Sequence, residues 1–252
     1  MSYVFDFSGF EPYVGMLAQG LGVTLGLTVV STLLGGLVGI AGAVVCAAGP
    51  RAARALVVAY VELIRNTPFL VQLFFVFFGL PSLGLHIDEM QAAVLAMTIN
   101  LGAYATEIVR AGIDSIPRGQ MQAAQALGLP IHQAFRYIVL PQAIANVFPA
   151  LLGQVLIVML GSAVVSQISV ADLTYVANYI QSRNFRAFES YLIITVIYLL
   201  MSIALRQLLN RLSRGLFSGR AARGAGAPGG WRGRFAARDG NAAPALPVES
   251  SR

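Results

Sequence analysis

Five predominantly apolar stretches, each about twenty residues long, recur along the chain, and they restrict its fold more than any other feature. They cover roughly 21–47, 55–79, 89–109, 143–163 and 188–210. A bilayer core about 30 Å thick takes about 20 apolar helical residues, so the sequence predicts an all-α integral membrane protein with five transmembrane helices. Only 11% of its residues are charged, against about 25% in a soluble domain. The expected organisation is an extracytoplasmic N-terminal segment (1–20), a transmembrane domain (21–211) and a disordered cytoplasmic tail (212–252) rich in Ala, Gly, Pro and Arg. Pro68 is expected to bend or break the second span. Gly22 and Gly26, then Gly35 and Gly39, have the small-residue spacing that admits a neighbouring helix, or are ordinary membrane-helix glycines.

Arginine placement gives a direction. Arg51 and Arg54 follow the first span, Arg110, Arg118 and Arg136 flank a polar stretch after the third, and Arg206, Arg211 and Arg214 follow the fifth. With five spans these fall on one side, which predicts the N-terminus outside and the C-terminus in the cytoplasm. The first twenty residues hold Asp6 and Glu11 but no basic residue, which argues against a cleaved signal peptide. The net charge of +6 follows from this topology rather than from nucleic-acid binding. All 17 basic residues are arginine. A standard P-loop needs a lysine, so this chain is not expected to hold such an ATPase site. Cys46 is the one cysteine, which rules out an intrachain disulfide and fits a packing role. His86 and His132 have no neighbouring ligand set, and no metal site is expected.

The polar stretch "QMQAAQALGLPIHQAFRYIVLP" (120–141) reads as a helical hairpin. Ser115 is placed to cap its first helix, with Pro117 in the first turn, Gly128 as the stop and Pro130 opening the second helix. Ile131, Ala134, Phe135 and Ile138 then form one apolar face, and neither helix is expected to be long enough to span. Two readings stand: a pair lying on the headgroups, or a knob that docks into a cytoplasmic partner. Polar groups inside spans are candidate path residues. Asn100, Tyr104 and Glu107 share one helical face, and Gln72, Gln154, Ser162 and Ser166 add to them. For Glu107 the alternative is an ion pair with Arg110 or Arg118, and Glu62 is expected to pair with Arg65 or Asn66.

The hairpin resembles the EAA signature of permease subunits of bacterial ABC importers. Gln122, Ala123, Ala124, Gly128, Ile138, Leu140 and Pro141 fall at that signature's spacings. "ELIRNTPFLVQLFFVFFGLP" (62–81), "AYATEIVRAGIDSIPRGQ" (103–120) and "SRNFRAFESYLI" (182–193) resemble the polar amino-acid uptake branch, the histidine/glutamine type. The resemblance covers roughly residues 10–214. It implies a type I importer permease whose hairpin is a cytoplasmic coupling helix, paired with itself or a sister permease. The implied partners are two copies of a separate ATPase, which would hold ATP and Mg, and an extracytoplasmic amino-acid-binding protein; no cofactor is expected in this chain. Two positions depart from the family pattern. Gln122 stands where the signature has Glu, removing a charge but keeping hydrogen-bonding capacity. Leu160-Gly161-Ser162 stands where many relatives carry Lys-Asp and a small hydroxyl residue. The implied substrate is a polar or basic amino acid or an opine-like derivative. The rival reading is a self-sufficient secondary transporter with Glu107 or Glu62 coupling a proton to substrate. A membrane enzyme finds no support, because no metal spacing, nucleophile motif or carboxylate dyad occurs.

Overall fold

The computed structural model describes residues 5–224, with side chains to residue 213. Among the described residues all regular elements are helical. A 3-10 turn at Glu11–Tyr13 leads into α1 (Val14–Ala48), so the first helix begins before residue 21 and only the residues ahead of Glu11 form a separate lead-in. Then come α2 (Arg51–Arg65) and α3 (Phe69–Phe74), the latter running through a π-helical turn (Phe75–Gly79) into α4 (Leu80–Ser82). An Asp88/Gln91 capping box opens α5 (Glu89–Asp114). The hairpin comprises α6 (Arg118–Ala126) and α7 (Ile131–Ala134). A second π turn (Phe135–Val139) joins α7 to α8 (Leu140–Gly161), and a 3-10 segment (Ser162–Ile168) prolongs it. The chain ends in α9 (Leu173–Asn184) and α10 (Ala187–Gly224). The last helix therefore continues past residue 212, where a disordered tail was expected to begin; residues 225–252 lie outside the described residues.

Four stretches are long and apolar enough to cross a membrane: Glu11–Ala48, Glu89–Asp114, Ile131–Ile168 and Ala187–Ser213. The expected second span is not a continuous helix. It is a pair, Arg51–Arg65 and Phe69–Ser82, bent by 110°. The cause is local. Pro68 has no N–H to donate and disfavours helical backbone at Thr67. The freed carbonyls are taken up by side chains: Thr67 Oγ1 donates to that of Leu63 (2.8 Å) and Gln72 Nε2 to those of Ile64 (2.7 Å) and Thr67 (3.0 Å), while Asn66 Nδ2 adds a second bond to the Glu62 carbonyl (2.8 Å).

Close packing fixes how the spans run. A Cβ on Gly35 would meet Leu101, one on Gly39 would meet Ala105, and one on Gly42 would meet Thr106. Residue numbers rise together, so α1 and α5 are parallel. Only a residue without Cβ fits at Gly39, where the two backbones approach most closely; Gly22 and Gly26 face no neighbour. Two consecutive parallel spans require a return crossing between them, and the bent pair is that crossing. α8 is antiparallel to α5, because Gly112 abuts Ala143 and Val147 while Met97 and Asn100 face Ile157, Val158 and Gly161. α10 runs with α1: Asp6 bonds Arg186, Phe10 packs near Ile193, and Leu21 and Leu25 line a groove with Ile197 to Leu208. The result is five crossings. The core lies among α1, α3, α5 and α8, around Leu27, Leu73, Ala93, Met97, Leu101 and Val158.

Candidate functional site

Two regions collect the polar and protruding residues of the described chain. The first is the hairpin between α5 and α8. Ser115 does not cap α6; it ends α5, with its Oγ donating to the Gly112 carbonyl (2.7 Å), and Pro117 occupies the cap position. Gly128 stops α6 as expected, at φ +78°. Its N–H donates to the Gln125 carbonyl (2.9 Å) and that of Leu129 to the Ala124 carbonyl (3.1 Å), the paired bonds of a Schellman cap. Gln122, Ala123, Gln125, Ala126 and Gly128 are exposed, and Leu127 is 80% exposed at the tip. Ala124 is buried and anchors the hairpin inward, so it belongs to the root and not to the outer surface. Ile138, Leu140 and Pro141 are half-buried at the junction with α8.

The second helix of the hairpin is not an independent short helix. The π turn absorbs an extra residue and carries it unbroken into the fourth span. Its expected apolar face is also trimmed: Ala134 is buried, Phe135 and Ile138 are half-buried, but Ile131 is 65% exposed.

The second region surrounds the α2–α3 bend. Asn100 Nδ2 donates to Gln72 Oε1 (2.9 Å), and Gln72 Nε2 closes on the bend, also reaching Thr67 Oγ1 (2.9 Å). Asn100 lines a cleft of about 90 Å³ with Phe69, Met97, Ile157, Val158 and Gly161. One turn further along α5, the Arg65 guanidinium lies 5.6 Å from the centre of the Tyr104 ring. Glu107 is held by Arg110 through both carboxylate oxygens (2.7 and 3.2 Å) and lies 4.0 Å from Arg65. The ion-pair reading of Glu107 thus describes its geometry, with Arg65 as the additional partner and not Arg118. Glu62 accepts from Asn66 Nδ2 at 3.0 Å. Gln154 is buried, and the Ser162 and Ser166 hydroxyls donate back into their own helix, to the carbonyls of Met159 (2.7 Å) and Ala163 (2.8 Å). The structure therefore brings Gln72 and Asn100 together at the cleft, and groups Tyr104 and Glu107 with Arg65. Gln154, Ser162 and Ser166 share no hydrogen bond with either group. No cluster of His, Cys, Asp and Glu fit for a metal occurs among the described residues.

Sequence reading passed over Asp172. It is fully buried at the start of α9, where its carboxylate accepts from the Tyr175 N–H (2.8 Å) and the Tyr198 hydroxyl (3.2 Å). Burial pushes its pKa up, against the hydrogen bonds that lower it. A carboxylate before a leucine with an apolar period behind it is an N-cap signal, but the helix it starts has only 12 residues.

Residues 16–218 match the model of a family described as binding-protein-dependent transport system inner membrane component. The arginine transport system permease protein ArtQ of Bacillus subtilis (strain 168) is 35% identical over 201 residues, covering 79% of this chain and 92% of ArtQ. The glutamine transport system permease protein GlnP of Escherichia coli (strain K12) is 35% identical over 212 residues, covering 83% and 97%. Among solved structures, an amino acid ABC transporter crystallised with histidines aligns at a TM-score of 0.77 and 39% identity, covering 84% of this chain and 99% of that one. An inward-facing MetNI methionine ABC transporter aligns at 0.71 over 82% and 98%, and at 21% identity it speaks to the fold alone.

Proposed function

Since the chain belongs to the family of binding-protein-dependent transport system inner membrane components, and is the permease component of an amino-acid ABC importer, we propose that it couples to a separate ATPase through the α6 hairpin. The observation that carries this reading is the exposed tip from Gln122 to Gly128, held off the spans by a Schellman cap and rooted at both ends in membrane helices. Gln122, Ala123 and Gly128 face the partner, Leu127 is the protruding apolar group, and Ala124, Ile138, Leu140 and Pro141 set the root. ATP and Mg are held by an ATPase dimer, since this chain has no lysine with which to build a standard P-loop. A second permease, identical or sister, completes the path, and an extracytoplasmic binding protein delivers the amino acid. The N-terminus lies outside and the hairpin in the cytoplasm of the inner membrane, in accord with the arginine distribution. Nucleotide-driven closure of the ATPases moves the hairpins and switches the spans between inward-open and outward-open states.

The test is co-purification. A β-branched side chain at φ +78° costs about 1–2 kcal/mol, so Gly128→Val reshapes the tip without touching the spans. Gly128→Val is expected to lose the co-expressed ATPase and ATP-driven uptake while the permease stays in the membrane. Full co-purification and uptake by this variant would remove the docking role.

The secondary-transporter reading has little left to stand on. Glu107, its coupling carboxylate, is bound by two arginines, and Glu62 by Asn66. Vesicles holding this chain without an ATPase are expected to show no uptake driven by a pH gradient.

A further inference from the structure

We propose that the outer face of α2 is a binding site for an acidic phospholipid of the cytoplasmic leaflet. The headgroup sits on Arg51 and Arg54, and one acyl chain runs along the helix into a pocket in the angle between α2 and α3. The site is separate from the hairpin and from the Asn100 cleft, and the leaflet follows from the orientation proposed above.

α2 is apolar on two sides. Val57, Tyr60, Val61 and Ile64 pack with Ile99 and Ala103 of α5. Ala52, Leu56, Ala59 and Leu63, at i, i+4, i+7 and i+11, share a second face. That face is exposed throughout, Leu56 at 73% and Leu63 at 65%. The stripe starts beside Arg51 and Arg54. Both are exposed, and neither joins an ion pair among the described residues. Nor do they serve the helix itself, because its first turn is the end where the dipole disfavours cations. Arg65, at the opposite end, already faces Glu107 and Tyr104. Two unpaired guanidiniums at the foot of an apolar stripe complement a phosphate that carries hydrocarbon chains.

The stripe ends in a pocket. A cavity of about 340 Å³ lies in the angle of the bend, walled by Leu63 and Ile64 of α2, Val71 and Phe75 of the segment after the bend, and Ala96 and Ile99 of α5. Its two polar residues are turned to one another, to the backbone and to Asn100. Thr67 Oγ1 donates to the Leu63 carbonyl (2.8 Å) and accepts from Gln72 Nε2 (2.9 Å), while Gln72 Oε1 accepts from Asn100 (2.9 Å). The pocket therefore suits hydrocarbon and not an amino acid, whose ammonium and carboxylate would enter unmet. The length fits as well. From Arg51 to Leu63 is about 18 Å at 1.5 Å per residue, and a lipid chain spans about 15 Å, half the hydrocarbon core. A chain seated there fills the inside of the bend, next to the side chains that close it.

Native mass spectrometry of the delipidated full chain in detergent, with whatever subunits co-purify, measures the site directly. Dioleoyl phosphatidylglycerol is expected to bind at least about tenfold more tightly than dioleoyl phosphatidylcholine, and Arg51→Gln with Arg54→Gln to erase the difference. Dihexanoyl phosphatidylglycerol, too short to reach the pocket, is expected to bind at least about tenfold more weakly than the dioleoyl form. Val71→Trp fills the pocket and is expected to remove most of that chain-length advantage while keeping the headgroup preference. Equal binding of the two dioleoyl lipids by the unaltered chain overturns the proposal, as does a preference that survives the double arginine replacement. An undiminished chain-length advantage in Val71→Trp overturns it too. If Val71→Trp fails to fold, Leu56→Gln on the exposed stripe decides, and unchanged dioleoyl phosphatidylglycerol binding there counts as refutation. Should Leu56→Gln separate a pair of permeases and leave lipid binding intact, the stripe belongs to a second copy and the proposal falls. Lipid binding is read without ATPase activity or transport, so its failure leaves the permease reading standing.

Discussion

Asp6 and Asp172 are driven in opposite directions by their surroundings. Asp6 accepts from the Ser8 N–H (2.9 Å) and hydroxyl (2.6 Å) and pairs with Arg186 (2.6 Å). These contacts lower its pKa from 3.8 to about 2, with Ser8 the larger cause. A depressed carboxylate pKa means that the tether of the N-terminal segment is complete above the ordinary value and is lost as pH falls through about 2. Carboxyl chemical shifts of Asp6 are expected to titrate near that value, and Ser8→Ala and Arg186→Gln are each expected to raise the midpoint. Asp172 has the opposite sign: its raised pKa means that the neutral form suits the fold, and the contribution of that form fades as pH rises through the folded value. The sequence marked Gln72 and Asn100 as polar residues within spans, but their mutual bond joins positions 28 residues apart. No local pattern reveals such a pairing. It depends on the angle of the bend between them.

At the scale of elements, the break at Pro68 was legible because proline acts through its own backbone, while the 110° angle was not, because side chains reaching back across the break set it. Gln72→Leu removes the donor shared by the Ile64 and Thr67 carbonyls. Leaving such groups unmet costs about 1–3 kcal/mol, and a matching fall in thermal stability of the detergent-solubilised protein is expected. A melting temperature unchanged from the parent would show that the bend closes without this residue. The Gly128 stop could be read from the sequence, since a left-handed residue is the ordinary end of a helix. The two π turns could not, because one extra residue in a helix leaves the apolar pattern almost intact. That is why α7 read as a separate helix. α9 leaves little trace in the sequence because, at 12 residues, it is too short to register as a span.

For the molecule as a whole, five apolar stretches were enough to suggest the number of spans, and the packing supplies independent support for it; the direction suggested by the arginines is a matter for labelling. Parallel α1 and α5 leave room for a single return crossing. In a Cys46→Ala background, which removes the buried native thiol, Leu85→Cys and Phe185→Cys are expected to react with an impermeant maleimide in intact cells. Gln120→Cys is expected to react only after permeabilisation. Reaction of all three from one side would contradict the crossings of α5 and α8, and a reversed pattern would invert the orientation.

The tight seam between α1 and α5 has a mechanical consequence. With Ala105 against Gly39, the two helices cannot slide past one another and must tilt together as a single beam. The hairpin is bolted to one end of that beam, with three residues between Asp114 and the start of α6. Asn100 sits about 21 Å along it, at 1.5 Å per residue. A tilt of roughly three degrees pivoting at the hairpin thus shifts the Asn100 amide by about 1 Å, comparable to the tolerance of a hydrogen bond. A small change of angle at the hairpin end is thus magnified, at the Gln72–Asn100 amides, into a displacement that is large on the scale of a hydrogen bond.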